Sequence, residues 1–330
     1  MSLNHTISRR AVFKGSGAVA AASVLGTGAA LGAASPAHAA GLEVVNHQSD
    51  GRMHAYEFTT PSIRKRTISF TSKALNPGLL RNPRANVLLP DGYDSGKRYP
   101  VLYLFHGGGG QYTEFDGYRI REMTAGRDLI VVMPDAGLGW HCNPVTSPTG
   151  PRNWETFQIE ELIPWVDATF RTFPEQAGRA VSGFSMGGFG ALKYTAKYYG
   201  HFASVSSHSG PASLRSINGA VAHWANASST IDLGGGTVYG TPWDQARVSA
   251  DNPVERIESY RGKRIFLVSG TEAFDVNEGF VLPTQREFAA ALDRAGIQYE
   301  RHEEPGGHFV RRERLQQDID GIIAHLRKAG

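Results

Sequence analysis

The 330-residue sequence predicts an α/β fold, a mostly parallel central sheet covered by helices on both faces. Three observations predict it. Continuous apolar runs such as Val101-Leu102-Tyr103-Leu104-Phe105 and Leu129-Ile130-Val131-Val132-Met133 have the composition of strands buried on both faces. Segments of helical period alternate with such runs, which implies right-handed crossovers between parallel neighbours. Finally, Gly183-Phe184-Ser185-Met186-Gly187-Gly188 links a short strand over 179–182, read as buried, to a helix that begins at Gly188, through a tight turn with a serine at its tip.

The first forty residues are read separately. Ser8-Arg9-Arg10 precedes a small, weakly apolar run over 15–34 and then Ala37-His38-Ala39. This has the layout of a twin-arginine export signal occupying 1–39, with a bacterial, secreted product starting near Ala40 and no stable membrane span after processing. Three of the 34 basic residues and none of the 31 acidic ones lie in that stretch, so the remainder is charge-balanced. Balance without long single-sign runs argues against nucleic acid as a partner. A lone Cys142 excludes an internal disulfide, and no His or Cys spacing suggests a metal. Residues 40–330 suffice for one large domain, expected as a monomer.

Within that domain, 41–61 shows little pattern. Residues 66–75 alternate in the β manner and 85–90 end at the turn Pro90-Asp91-Gly92, so the two read as an antiparallel hairpin. Strands over 99–105 and 128–135 follow. Asn153 is placed as the N-cap of a helix over 154–170, which Pro164 should kink. After the serine turn and its helix to about residue 199 comes a strand over 202–207. Residues 210–255 have no clean period and are read as a long, lid-like excursion over the site. A strand over 264–270, a helix over 283–295, a strand over 297–303 and a helix over 311–328 close the chain.

The serine turn carries the chemistry. In a chain with 39 glycines a G-x-S-x-G match is cheap, but here it sits between strand and helix, where flanking glycines let the hydroxyl stand clear. His106-Gly107-Gly108-Gly109-Gly110 after a buried strand can bring backbone N–H groups to a developing oxyanion. A serine needs a base. His308 follows the last strand on the glycine-padded loop Gly306-Gly307, at the sheet end where α/β folds bind ligands. Serine, acid, histidine is the chain order of α/β-hydrolases. Glu272, Asp275 and Glu278 all follow the strand ending at Gly270, and position alone does not choose among them.

Several separate motifs carry a family resemblance: Leu104-Phe105-His106-Gly107-Gly108, Asn153-Trp154-Glu155-Thr156-Phe157, Glu160-Glu161-Leu162-Ile163-Pro164, Gly183 through Leu192, and Ser207-His208-Ser209-Gly210. In this order they resemble the esterase D group of α/β-hydrolases, which includes S-formylglutathione hydrolases, tributyrin and feruloyl esterases and the secreted mycolyltransferases. The resemblance implies the α/β-hydrolase fold and a serine carboxylic ester hydrolase working through an acyl-enzyme without a cofactor. Its substrate would be a small-molecule, lipid or carbohydrate ester. It implies Ser185 as nucleophile and His308 as base. The oxyanion donors are the N–H groups of Met186 and Gly108. The mycolyltransferase-like spacing makes Glu278 the acid, whereas the formylglutathione-type pattern would make it Asp275. Phe309-Val310 replaces the Ser-Trp of the mycolyltransferases and His106 replaces their aspartate, which separates this chain from trehalose transfer and leaves acyl transfer to a sugar or glycerol as the alternative. A non-catalytic carbohydrate- or matrix-binding role is the remaining one.

Among other residues, Trp140 and His106 are candidate substrate contacts. Cys142 is read as a partly buried, unreactive thiol. Trp224, Tyr239 and Trp243 are either ordinary packing or the floor of a lid.

Overall fold

The computed structural model describes residues 42–49, 64–76, 82–93, 96–272 and 274–330. The export segment expected over 1–39 lies outside them. The expected α/β architecture is observed. The described residues begin with three strands: β1 (Leu42–Ser49), β2 (Arg64–Ser72) and β3 (Arg84–Leu89). Next are β4 (Val101–Phe105), the short helices α1 (Glu114–Gly117) and α2 (Ile120–Met123), and β5 (Ile130–Pro134). A helical run of α3 (Trp154–Thr156) and α4 (Ile163–Thr169) leads to β6 (Arg179–Phe184), α5 (Met186–Lys197) and β7 (Ser204–His208). Two more helices, α6 (Ser216–Ser229) and α7 (Gln245–Asp251), precede β8 (Arg264–Gly270). The chain ends with α8 (Val276–Arg294), β9 (Glu300–Glu304) and α9 (Arg312–His325).

The sheet order among the described residues is β1-β2-β3-β5-β4-β6-β7-β8-β9. The first three strands pair antiparallel, as the hairpin reading of β2 and β3 anticipates, and β5 through β9 pair parallel. Because β4 lies between β5 and β6, successive crossovers leave it in opposite directions. The loops after β4 and β6 therefore splay apart at one crevice, the usual ligand position in open α/β sheets. Along β4, Val101, Tyr103 and Phe105 enter the core on one face, and Leu102 and Leu104 the core on the other. This is why that run is apolar throughout. No helix among the described residues is long and apolar enough to cross a membrane.

Several expectations are corrected. Residues 42–49 form a strand where no pattern was visible. Asn153 stands before α3, but its side chain caps nothing; its carbonyl accepts from Phe157 N–H at 2.9 Å. The interruption expected at Pro164 is a π-helical turn, Phe157–Leu162, placed just before a residue that has no N–H to give. The next helix begins at Val276 rather than at Pro283: Asp275 caps it, accepting from Asn277 and Glu278 N–H at 2.9 and 3.2 Å, and Pro283 lies inside. Residues 210–255 are not an irregular excursion, since they contain α6 and α7. The buried residues of α6, Val221, Ala222, Ala225, Asn226 and Ser229, are mostly small or polar, so the face gives little hydrophobic contrast in sequence. Val221, Ala222 and Ala225 join Trp140, Met186 and Phe189 in a third apolar cluster.

A buried ionic cluster fixes α5. Lys193 Nζ meets Glu155 Oε2 at 2.8 Å, and Lys197 reaches both Glu155 and Asp251, at 2.7 and 3.0 Å. Burial opposes the charged form of Glu155, yet the two lysines hold its carboxyl well below the usual range. Beside them Cys142 is fully buried, which pushes its thiol up to about 11 and makes it inert, more enclosed than expected.

His141 stacks on Phe105 beneath α5, with ring centroids 4.6 Å apart. Its Nδ1–H donates to Gln158 Oε1 at 2.9 Å, the Gln158 amide being oriented by its own bond to Asp135 O. Nε2 makes no hydrogen bond among the described residues, and a backbone group of His106 only partly offsets the cost of burying a second proton on the ring. Burial first, and then the nearby His106, lower the pKa of His141 to about 3. The unfolded chain binds this proton near pH 6.5 and the folded one does not, so stability is complete above pH 6.5 and is lost as pH falls toward 3. At pH 5 the loss from this residue is about 2 kcal/mol. The drop in Tm between pH 7 and pH 5 is expected to shrink in His141→Phe; an unchanged drop in thermal melts would contradict the assignment.

Candidate active site

The site is assembled from four loops at the carboxyl ends of the parallel strands. β6 ends at Phe184, and Ser185 follows with φ 53 and ψ −119, a left-handed conformation that costs a non-glycine residue about 1–3 kcal/mol. Two close approaches hold it there. A Cβ on Gly183 would stand 2.4 Å from the carbonyl carbon of Gly187, and one on Gly187 would stand 2.3 Å from Phe105 O. Only hydrogen fits at either position. Ser185 N–H also donates to His208 O at 2.8 Å, tying the turn to β7. Ser185 is otherwise almost buried.

His308, on the loop between β9 and α9, places Nε2 2.7 Å from Ser185 Oγ. Its ring packs against Phe184, with centroids 4.9 Å apart. On the far side, Nδ1 is 3.4 Å from Glu278 Oε1. That is an ion-pair separation, long for a hydrogen bond, and catalytic contacts of this kind commonly tighten only when substrate is bound. Glu278 is fully buried, and among the described residues neither carboxylate oxygen has a hydrogen-bond partner. A buried carboxylate 3.4 Å from a histidine ring, with the Arg311 guanidinium also in its field, is suited to orienting that ring and balancing its charge.

Asp275, the alternative acid, is engaged elsewhere. Its Oδ2 accepts from the backbone N–H of His308 at 3.0 Å, while Oδ1 caps α8. Its slight burial opposes ionisation, but the N–H groups of His308, Glu278 and Asn277 together hold its carboxyl below the ordinary range. Asp275 thus grips the loop that carries His308, and Glu278 faces the ring. Arg311 braces the same loop, its guanidinium donating to the carbonyls of Glu304, Pro305, Gly306 and Gly307 at 3.1–3.3 Å. The sequence reading missed this residue; its only signal was a basic residue three positions after the histidine.

The glycine run after β4 touches the serine turn, since a Cβ on Gly107 would lie 3.4 Å from Ser185 Cβ. Gly107 N–H donates to Glu114 Oε2 at 2.6 Å, and no described group accepts from Gly108 or Met186 N–H. Burial raises the pKa of Glu114, and the Gly107 bond only partly offsets this. Glu114, another residue the sequence did not single out, anchors the glycine turn beside the serine.

Two expected substrate contacts are placed differently. His106 is buried, with Nδ1–H donating to Gly107 O at 2.7 Å and Nε2 accepting from Ala136 N–H at 2.9 Å, so it has no polar atom to offer a ligand. Trp140 is also buried, and its indole N–H donates to Ser228 Oγ at 2.8 Å. It backs Trp224 at 5.0 Å between centroids, and Trp224 is the tryptophan that approaches His308, at 6.4 Å. The expectation for Trp140 fails by one layer.

The fold is that of the α/β-hydrolases, with a serine turn, a histidine and a carboxylate meeting at the sheet's carboxyl end. The chain belongs to the esterase family: the family described as "Putative esterase" matches residues 77–325. It is 59% identical over 302 residues to Esterase Rv1288 of Mycobacterium tuberculosis, covering 88% of this chain and 63% of that protein, so it spans under two thirds of that relative's length. Among solved structures it is similar to an S-formylglutathione hydrolase from Agrobacterium tumefaciens, with a TM-score of 0.66 and 17% identity over 86% of this chain and 99% of the other. It is also similar to MPT51 of Mycobacterium tuberculosis, with a TM-score of 0.62 and 20% identity over 77% and 97% of the two chains. At these identities the structural likeness speaks to fold.

The division of labour between the two carboxylates is testable. Glu278→Gln is expected to lower kcat for a p-nitrophenyl ester by about 10²–10⁴-fold with little change in KM. Asp275→Asn, which keeps an acceptor for His308 N–H, should lower it less than tenfold. The reverse ranking in steady-state kinetics would exchange the two assignments.

Proposed function

We propose that the protein is a secreted serine carboxylic ester hydrolase that works through Ser185, His308 and Glu278 and a covalent acyl-enzyme. The observation that carries this reading is the 2.7 Å contact between His308 Nε2 and Ser185 Oγ at a turn whose backbone is held left-handed. Membership of the esterase family supports it independently.

In the proposed cycle, Ser185 Oγ attacks the ester carbonyl as its proton passes to His308 Nε2. Glu278 faces Nδ1 and stabilises the imidazolium that results. The carbonyl oxygen, now negative, is received by the N–H groups of Met186 and Gly108. Each such donor typically supplies on the order of 3 kcal/mol of transition-state stabilisation. When the C–O bond breaks, the leaving alkoxide takes the proton from His308, and Ser185 is left as an ester. Water then gives its proton to His308 and attacks the acyl carbon, after which the serine regains its hydrogen and the carboxylic acid departs. An alcohol in place of water would transfer the acyl group through the same intermediate, so products formed with glycerol or trehalose present separate hydrolysis from transfer.

A fluorophosphonate probe should label the native protein at Ser185 and leave Ser185→Ala unlabelled, with turnover of p-nitrophenyl butyrate falling at least about 10³-fold in the variant. Native protein that neither reacts with the probe nor turns over any of a panel of short and long acyl esters would refute the reading. Export is the other part of the proposal and rests on Arg9 and Arg10 with the Ala37-His38-Ala39 site. Protein recovered from the medium of an expressing bacterium should begin near Ala40, and replacing both arginines by lysine should retain the chain inside the cell. Material in the medium that still carries residues 1–39 would contradict it.

A further inference from the structure

Helix α6 carries two polar or aromatic stripes. Trp224 and Ser228 turn toward Trp140, and Trp224 continues to His308. His223, Ala227 and Thr230, three and four residues apart, lie along another side of the helix and line a separate open cleft of about 600 Å³. That is within the ~300–1,000 Å³ of small-molecule sites. Its far wall is formed by Thr241, Pro242, Trp243 and Gln245. Ser185, His308, Glu278 and Trp224 are not among the residues that line this cleft.

The chemistry of the cleft is specific. None of its lining residues is Asp, Glu, Lys or Arg, so it has nothing to pair with a phosphate or carboxylate and nothing to repel a neutral ligand. Trp243 is half-buried and its ring lies tilted against that of His223, with centroids 4.6 Å apart and an interplanar angle of 54°. Around it stand amide, imidazole and hydroxyl groups, and no described group hydrogen-bonds the side chains of Asn218, His223 or Thr241. Gln245 uses its carbonyl oxygen to accept from Arg215 at 2.6 Å, and no described group accepts from its amide NH₂. An aromatic ring flanked by amide, imidazole and hydroxyl groups that can donate and accept matches a pyranose ring, which has apolar C–H faces and a rim of hydroxyls.

The wall is also shaped at a cost in backbone conformation. Ile217, Asn218 and Gly219 are consecutive left-handed residues, with φ of 53, 55 and 76, and the first is β-branched. A Cβ on Gly219 would meet the outer edge of the Trp243 ring at 2.0 Å, so the glycine lets the indole edge abut this turn, and Asn218 of the same turn lines the cleft.

We infer that the cleft between α6 and the segment 241–245 is a binding site for a neutral saccharide, with Trp243 as its stacking platform and Asn218, His223 and Gln245 as hydrogen-bonding groups. The site is separate from Ser185 and does not depend on the ester reading. Isothermal titration calorimetry of the full chain with trehalose, xylotetraose, cellotetraose and maltotetraose tests it, together with the indole N–H cross-peaks of ¹⁵N-labelled protein and with adenosine as a stacking control. At least one saccharide should bind and shift the Trp243 cross-peak. Trp243→Ala should weaken that binding at least tenfold and His223→Ala at least threefold, with both variants melting cooperatively, while Ser185→Ala binds as the native protein does. Should Trp243→Ala fail to fold, the cross-peak shift and His223→Ala decide. No binding of any saccharide at millimolar concentration would overturn the inference, as would binding undiminished in His223→Ala with no shift of the Trp243 peak, or tighter binding of adenosine than of every saccharide.

Discussion

The close backbone approach at Gly183 and Gly187 is the constraint on which the proposed chemistry depends. Their two missing side chains allow α5 to start directly against the ends of β4 and β6. The chain can then reverse within one residue, and that residue, Ser185, takes up the strained conformation. A turn of this kind is held by its surroundings rather than by its own preference. Here the surroundings are the His208 carbonyl on one side and, on the other, a helix whose Lys193 and Lys197 are locked to Glu155 and Asp251. Leaving either buried partner alone would expose an uncompensated charge to the interior, so the cluster resists displacement of α5. The serine inherits that rigidity.

The opposite half of the site is built on loops, and its order comes from side chains that do not touch the serine. Asp275 takes the His308 N–H and Arg311 gathers four carbonyls of the preceding loop. Glu114 does the corresponding work for the glycine turn. Between these supports, Glu278 is buried and no described group hydrogen-bonds its oxygens, a costly arrangement that the facing imidazole and the nearby Arg311 charge offset. Two carboxylates three residues apart on one helix start thus have distinct tasks, one fixing a backbone and one facing a ring.

Much of this was legible because a few signals are unambiguous in chemistry. The runs that became β4 and β5 are apolar throughout, and only strands covered on both faces require that. Ser185, His308 and the carboxylate region after β8 could be placed at one sheet end by chain order alone. What stayed hidden did so for physical reasons. Helix α6 buries alanine, serine and asparagine, so its period is faint. Pro283 reads locally as a helix start, although the Asp275 cap begins the helix earlier and places Glu278 in its first turn. Position after a strand could not distinguish Trp140 from Trp224, because which indole reaches His308 depends on how residues distant in sequence pack. The same holds for His106, whose two backbone partners come from Gly107 and from the loop after β5.

The central claim is that this geometry makes Ser185 a transient acyl carrier. The most direct measurement is rapid-quench mass spectrometry during turnover of a p-nitrophenyl ester. Acid quenching within the first turnovers is expected to trap the acyl mass on the peptide containing Ser185, at close to one equivalent when deacylation is the slower step. Release of p-nitrophenol at the native rate from protein in which no ester forms on Ser185, or in which the acyl group is found on another residue, would contradict the account.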